Sequence, residues 1–289
     1  MRWVKRTFIS IFVVALIFVS GRAYINFSDG FSLANVRSSM SYDPRWDVEA
    51  IADNEVKKIL SQPFSYLGKG CQSYVFESED GNYVLKFFKF QHLRTDTIWC
   101  SIPLPEFLAK KRDESIQRRL AKKERLFKGS VVAYEQIPEL TGVVYLHLNP
   151  TNHLNCSIEF KDKIGWLHSL PADKTVFILQ RKAIPAANFF TKLEKEKSHD
   201  AAKSGFHSLL GIYHKSALSG IIDLDPATIQ NLGFSNGEAQ IIDIGQLSVQ
   251  ADASFDLSKR IENVRSWVSK NTPELTATFE EVCRESYTD

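Results

Sequence analysis

An α+β fold, strands first and helices after, is what this 289-residue chain predicts, and three observations predict it. Residues 64–90, "FSYLGKGCQSYVFESEDGNYVLKFFKF", alternate apolar with polar positions and are rich in aromatics and Val, the period of half-buried strands. Residues 105–140 are highly charged, contain no Gly before Gly129, and read as one long helix or two consecutive ones. From Asn188 onward the helical period dominates: "HDAAKSGFHSLLGIYHKSAL" sets Phe206, Leu209, Leu210, Tyr213 and Ala217 at core spacing. Strands segregated from helices imply an antiparallel-sheet lobe followed by a compact, mainly helical lobe, not a βαβ repeat. The chain shows no internal repeat.

Taken in order, the first element is apolar. After Arg2, Lys5 and Arg6 comes "FISIFVVALIFV" (8–19), then the small residues Ser20, Gly21 and Ala23. A charged segment, an apolar run and a small-x-small site form a signal peptide or a short signal anchor over residues 1–23. Twelve residues fall short of the ~20 that span a bilayer, which favours the signal peptide. Residues 24–45, rich in Ser, Asn, Asp and Gly without a sustained period, read as a tether. "WDVEAIADNEVKKILSQP" (46–63) reads as a helix with Ile51, Val56, Ile59 and Leu60 on one face and Pro63 past its end. The aromatic segment then supplies two or three antiparallel strands turning at Asp80-Gly81-Asn82. "TGVVYLHL", "CSIEFKDKIGWLHSL" and "TVFILQRKAI" return to strand character, the middle one a hairpin turned near 161–165. The first lobe therefore spans 46–183 and the second 184–289.

Composition narrows the function classes. Basic residues number 36 against 34 acidic ones, net +2, so no global field draws the chain to nucleic acid. Lys110, Lys111, Arg112, Arg118, Arg119, Lys122, Lys123, Arg125 and Lys128 crowd the charged helix. They lack interleaved aromatics and have Glu114 and Glu124 beside them, which makes a solvated face rather than a nucleic-acid surface. Cys71, Cys100, Cys156 and Cys283 stand far apart, without the spacing of a zinc site. Export would leave room for one or two disulfides.

Two groups of residues carry chemistry. Gly68 and Gly70 let a hairpin backbone approach a ligand, and Lys86 sits within the apolar strand "VLKFF". A buried unpaired ammonium is costly, so Lys86 calls for an acidic partner or an anionic ligand, unless its strand is at an edge and it reaches solvent. Further on, "IDLDPATIQNLGF" and "IIDIGQ" bring Asp223, Asp225, Asn231 and Asp243 beside apolar runs. Taken singly, these polar residues would cap turns and end a strand.

In this order the motifs resemble the protein-kinase-like superfamily, which includes aminoglycoside-type phosphotransferases. Residues 68–75, G-K-G-C-Q-S-Y-V, are similar to the Gly-rich loop G-x-G-x-x-G-x-V, with Ser73 in place of the third Gly. "DLDPATIQN" resembles the catalytic loop and "DIG" the D-F-G element, although Asp223-Leu224 replaces His-Arg and the interval from Asp225 to Asn231 is one residue longer. The resemblance covers about 62–247, and it implies a two-lobed protein-kinase-like fold. It further implies Mg-ATP as cofactor, with Gly68, Gly70, Ser73 and Val75 over the phosphates and Lys86 contacting them. Either Glu124 or Glu135 would position Lys86, with Glu135 on the more apolar stretch, and the segment 179–183, opening on Leu179, would border the adenine. Asn231 and Asp243 would hold the metal, and Asp225 would orient the acceptor hydroxyl. Like charges at 4 Å repel by about 4 kcal/mol at an effective dielectric of 20, so carboxylates beside a triphosphate require the metal. Two functions follow from the resemblance. One is a phosphotransferase acting on an unknown acceptor; the other is a catalytically silent pseudokinase, membrane-tethered or exported, that binds a partner protein.

Overall fold

The computed structural model describes residues 2–49, 54–95, 102–225, 227–250 and 254–287. The first helix, α1 (Arg2–Phe27), outruns the predicted apolar segment. It passes unbroken through Ser20, Gly21 and Ala23, and its stretch Ile9–Phe27 is exposed, long and apolar enough to cross a membrane. After it come α2 (Leu33–Val36) and α3 (Asn54–Leu60). The predicted 46–63 helix is thus confirmed only from Asn54, with residues 50–53 outside the described set.

Part of the expected tether is core. Phe31 and Val36 are buried, and the Phe31 ring meets Tyr74, Phe76 and Phe160 edge-on at 5.2, 5.6 and 5.9 Å. Around it, the Tyr74 hydroxyl donates to the Gly30 carbonyl at 2.7 Å. Asp29 pairs with Lys163 at 2.9 Å and Lys69 at 3.2 Å, and hydrogen bonding from Lys163 first of all holds its carboxyl down at about 2. Aromatic residues within a polar stretch have no period to reveal them, and only the sheet that encloses them makes them core. Phe31→Ala is expected to cost about 3–5 kcal/mol, the range for emptying a buried Phe site, read as a lower urea midpoint.

Strands β1 (Phe64–Lys69), β2 (Ser73–Ser78) and β3 (Tyr83–Phe88) form the expected antiparallel meander. Asp80 builds its turn: Oδ1 accepts from the Ser78 hydroxyl at 2.6 Å and from Asn82 N–H at 3.0 Å, with Gly81 at φ +71°. After the 30-residue α4 (Glu106–Glu135) and the short α5 (Pro138–Thr141) come β4 (Val143–His147), β5 (Ser157–Lys161), β6 (Leu167–Pro171) and β7 (Phe177–Arg181). All seven strands join one sheet in the order β4-β7-β3-β2-β1-β5-β6, with β5 parallel to β1.

That order forces the sheet to curl. Five strand spacings separate β6 from β7, about 24 Å if the sheet were flat. The link from Pro171 to Phe177 reaches only about 20–22 Å at full extension, and a 3₁₀ turn, Ala172–Lys174, shortens it further. The curled sheet encloses one core, containing Phe31, Phe64, Phe76, Phe87, Phe160, Phe177 and Leu179. Phe88 of β3, Ile178 of β7 and Val176 just before β7 face outward into a second core shared with α4 and the later helices. Lys86 shares that outward face, because side chains two residues apart point the same way.

The second region holds β8 (Ile184–Pro185), α6 (Ala186–Lys195), α7 (His199–Leu218), β9 (Ile221–Asp223), β10 (Leu232–Ser235), β11 (Glu238–Ile241), β12 (Leu247–Val249), α8 (Ser254–Asn271) and α9 (Thr276–Tyr287). It is mainly helical, with the small sheet β11-β10-β8 and the pair β12-β9. In its core Phe190 stacks on Phe206, Phe234 meets Phe190 edge-on and Phe279 meets Phe206 edge-on. The chain is therefore α+β, a curled seven-stranded sheet followed by a helical portion, as the periodicities predicted. Cys71, Cys156 and Cys283 are free thiols, and Cys100 lies outside the described residues.

Candidate functional site

A cavity of about 190 Å³ opens between the outward face of β2 and β3, the helix α4, and the 242–245 turn that follows β11. Its roof is the 70–73 loop. Gly70 N–H donates to the Ser73 carbonyl at 2.9 Å, and Lys89 N–H to the Gln72 carbonyl at 2.8 Å. The Lys89 ammonium donates to the Gly70 carbonyl and lies 4.8 Å from the centre of the Tyr74 ring. Lys89 thus ties the loop to the end of β3. Sequence reasoning missed this lysine, whose signal was a second Lys three residues beyond the first.

Lys86 and Asp243 line this same cavity, though 157 positions separate them along the chain. The Lys86 ammonium donates to the Ile242 carbonyl. Burial pulls its pKa down to about 8, with the nearby charge of Asp243 opposing. Asp243 is exposed, and its Oδ1 accepts from Gly245 N–H at 3.2 Å, which aims the carboxylate across its own turn. Gly70, Ser73 and Val75 also line the space. Gly68 does not: it sits one step back, where the pairing of β1 with β2 shifts register.

Neither candidate glutamate reaches Lys86. The α4 residues at the cavity are Leu126 and Ser130. At 100° per residue, Glu124 and Glu135 lie about 160° and 180° around the helix from Leu126. Glu124 instead pairs with Lys128 at 2.8 Å, and Glu135, the last residue of the helix, is exposed. Leu179 is a second correction. It belongs to the interior core of the curled sheet, while its neighbour Ile178 lines the cavity; strand alternation turns them to opposite faces.

Around the two later motifs the structure separates residues the sequence had grouped. Asn231 is buried and its amide donates to Asp223 Oδ2 at 2.7 Å, while Gln230 lines the cavity in its place. The cause is the 3₁₀ turn Ile229–Asn231, in which consecutive side chains point about 120° apart. Asp225 Oδ1 accepts from Ala227 N–H at 2.9 Å and Oδ2 from the Gln246 amide at 2.8 Å. Asp223 anchors the group: Oδ1 accepts Asp225 N–H at 2.9 Å, and buried Arg260 donates to its carbonyl. Burial pushes the Asp223 carboxyl up to about 6, with the charge of Asp243 adding to the rise, while Asp225 N–H, Asn231 and Arg260 oppose it. Arg260 carried no sequence signal, since it lies outside every motif.

Helix α4 presses directly on the turn that carries Asp243. A Cβ at Gly129 would stand 2.6 Å from the Ile244 carbonyl oxygen and 3.1 Å from Leu247 N, so only glycine permits this approach. Gly129→Ala is expected to lose about 1–3 kcal/mol to overpacking, outweighing the helix-propensity gain of up to about 1 kcal/mol, and to weaken ligand binding by displacing Asp243. Gly211→Ala, in α7 with nothing within 4 Å of its added carbon, is the control and should stabilise the fold. Thermal unfolding of the two variants checks the contrast.

No family model matches the chain, and no curated protein matches it. Among solved structures, the complex of Rv3197 with erythromycin from Mycobacterium tuberculosis is similar over 78% of this chain and 56% of that one, at 14% identity and a TM-score of 0.33. WbdD bound to the kinase inhibitor LY294002 is similar over 75% of this chain and 44% of its own, at 13% identity and 0.35. The bifunctional kinase-methyltransferase WbdD is similar over 74% and 43%, at 15% identity and 0.34. The chain spans about half the length of these proteins.

Proposed function

We propose that the cavity is the phosphate-transfer cleft of a two-lobed, kinase-like phosphotransferase that uses Mg-ATP. One observation carries the reading: Lys86 of the third strand and Asp243 of the D-I-G turn meet at one cavity under the 70–73 loop. The ammonium would hold phosphate oxygens, and its lowered pKa records how poorly its present surroundings solvate the charge.

The residues fit a magnesium ion. Mg²⁺ is held by one or two carboxylates together with substrate phosphates, and Asp243 offers such a carboxylate at the cavity, which Gln230 also lines. Bound there, the ion would neutralise phosphate charge. The chain's own part is to fix the carboxylate through Gly245 N–H, to seat phosphates under the 70–73 loop, and to orient an acceptor hydroxyl with Asp225. Asn231, committed to Asp223, serves as a positioning residue for that loop, and a metal role is not assigned to it.

A second reading, the catalytically silent module, is favoured by one feature: Asp225 and Asn231 both spend their side chains on internal hydrogen bonds. In either case α1 would tether the domain to a membrane. Thermal unfolding of the full-length chain with Mg-ATP tests the shared claim. Saturation to about 100 times the dissociation constant stabilises by ~2.7 kcal/mol, about 5–10 °C for a domain of this size; no shift refutes the cleft. Transfer of labelled phosphate then separates enzyme from silent module, and Asp225→Asn should abolish transfer while leaving the thermal shift unchanged.

A further inference from the structure

The resemblance would set a nucleoside base beside the connector that follows β7, and that connector is held by the chain's own hydrogen bonds. The connector after β7 is paired almost throughout. Arg181 N–H donates to the Gly142 carbonyl at 2.7 Å, and Lys182 N–H to the Asn82 carbonyl at 2.8 Å. The Arg181 carbonyl accepts the Gln240 amide at 3.0 Å. Ile184 and Pro185 are taken up by β10, opposite Phe234 and Gly233, which leaves Ala183 between two occupied stretches.

Packing closes the same side. A Cβ at Gly233 would stand 2.9 Å from both the Ala183 Cβ and the Ile184 carbonyl oxygen, and a Cβ at Gly142 would stand 2.6 Å from the Gln240 amide. The buried Gln180 amide donates to the Thr141 carbonyl at 2.6 Å and the Ile241 carbonyl at 3.0 Å. Two glutamines therefore staple the curled sheet to β11, at the place where a hinge would have to open. Among the described residues lining the cavity, none comes from 179–185. Its volume of about 190 Å³ also falls below the roughly 300–1,000 Å³ of sites that engulf a drug-sized ligand.

We infer that this site, if it is the phosphate cleft proposed above, recognises a magnesium-bound di- or triphosphate group and not the base attached to it. Base discrimination requires donors and acceptors presented to the base edge, and no described residue of 179–185 lines the cavity to present them. Lys86, Asp243 and the 70–73 loop would address phosphate and metal, and Gln230 lines the cavity only as a further polar residue. The organic end of the ligand then lies outside the cavity, so the ligand class is set by the polyphosphate.

The test is isothermal titration of the full-length chain, in detergent, with magnesium tripolyphosphate, Mg-ATP and Mg-GTP. Dissociation constants agreeing within about fivefold are expected, because base contacts where made contribute tenfold or more. Mg-ATP binding more than about fivefold tighter than magnesium tripolyphosphate overturns the inference and leaves the phosphate cleft standing. Absence of binding by all three removes the phosphate cleft itself, and this inference with it.

Discussion

Asp243→Ala should abolish the magnesium-dependent part of phosphate binding while leaving the fold intact. The side chain is exposed at the cavity and its carboxylate accepts a hydrogen bond from a backbone N–H two residues on, so truncation empties no core. Its loss leaves the cavity without the carboxylate that would let a divalent cation bridge protein and polyphosphate. The thermal shift of about 5–10 °C expected for the native chain at saturating ligand should fall to near zero. In the absence of ligand the variant should unfold within about 2 °C of the native chain, as surface substitutions within ±0.5 kcal/mol do. A variant that still responds to magnesium and tripolyphosphate as strongly as the native chain would remove Asp243 from the site.

Lys86→Met should separate binding from stability. The ammonium is desolvated, and its pKa of about 8 lies below the usual lysine value, so carrying the charge in the folded state costs stability at neutral pH. The unfolded chain holds this proton more tightly than the folded one, and folding stability of the native chain therefore rises with pH between about 8 and 10.5. The methionine variant should lack that rise, and at pH 7 should unfold at no lower temperature than the native chain, since replacing a buried charge by an apolar group is often neutral or stabilising. Phosphate binding should weaken at least ~100-fold, about 2.7 kcal/mol, as expected when a partly buried charge partner is removed. The native chain itself should bind phosphate more weakly as pH rises above about 8, because the ligand then has to recruit the proton that Lys86 has released. Urea melts and titrations from pH 7 to 10 read both effects. A melting temperature that falls in Lys86→Met would mean that the hydrogen bond to Ile242 is structural first.

Part of this site was legible in the chain because backbone spacing alone decides it. A Gly-bearing hairpin, a lysine two residues from the end of the next strand and an Asp-x-Gly turn are local patterns, and each formed where its pattern lay. Which neighbour of a pair faces the cavity was not legible. Asn231 and Gln230, or Leu179 and Ile178, differ by one position, and one residue of register reverses a side chain in a strand and rotates it by about 120° in a 3₁₀ turn. The helix carboxylate failed for a related reason: Glu124 and Glu135 do share a face of α4, but Gly129, Ser130 and Ala133, the residues small enough to let the helix approach the 244–247 backbone, turn the opposite face inward.

The order of strands and helices, the charged helix, the apolar N-terminal run and the placement of Lys86 on a strand were determined by sequence alone, since each depends on periodicity over a short window. Tertiary structure decided what the windows could not contain: that Phe31 enters the sheet, that β5 and β6 swing round to lie beside β1, and that Lys86 meets Asp243. It also decided that Gln180 and Gln240 tie β7 to β11. The physical reason is that burial and hydrogen bonding between segments more than fifty residues apart depend on how the sheet curls. That curl is imposed by chain connectivity across the whole sheet, because the five residues between Pro171 and Phe177 are too few to join β6 to β7 in a flat sheet.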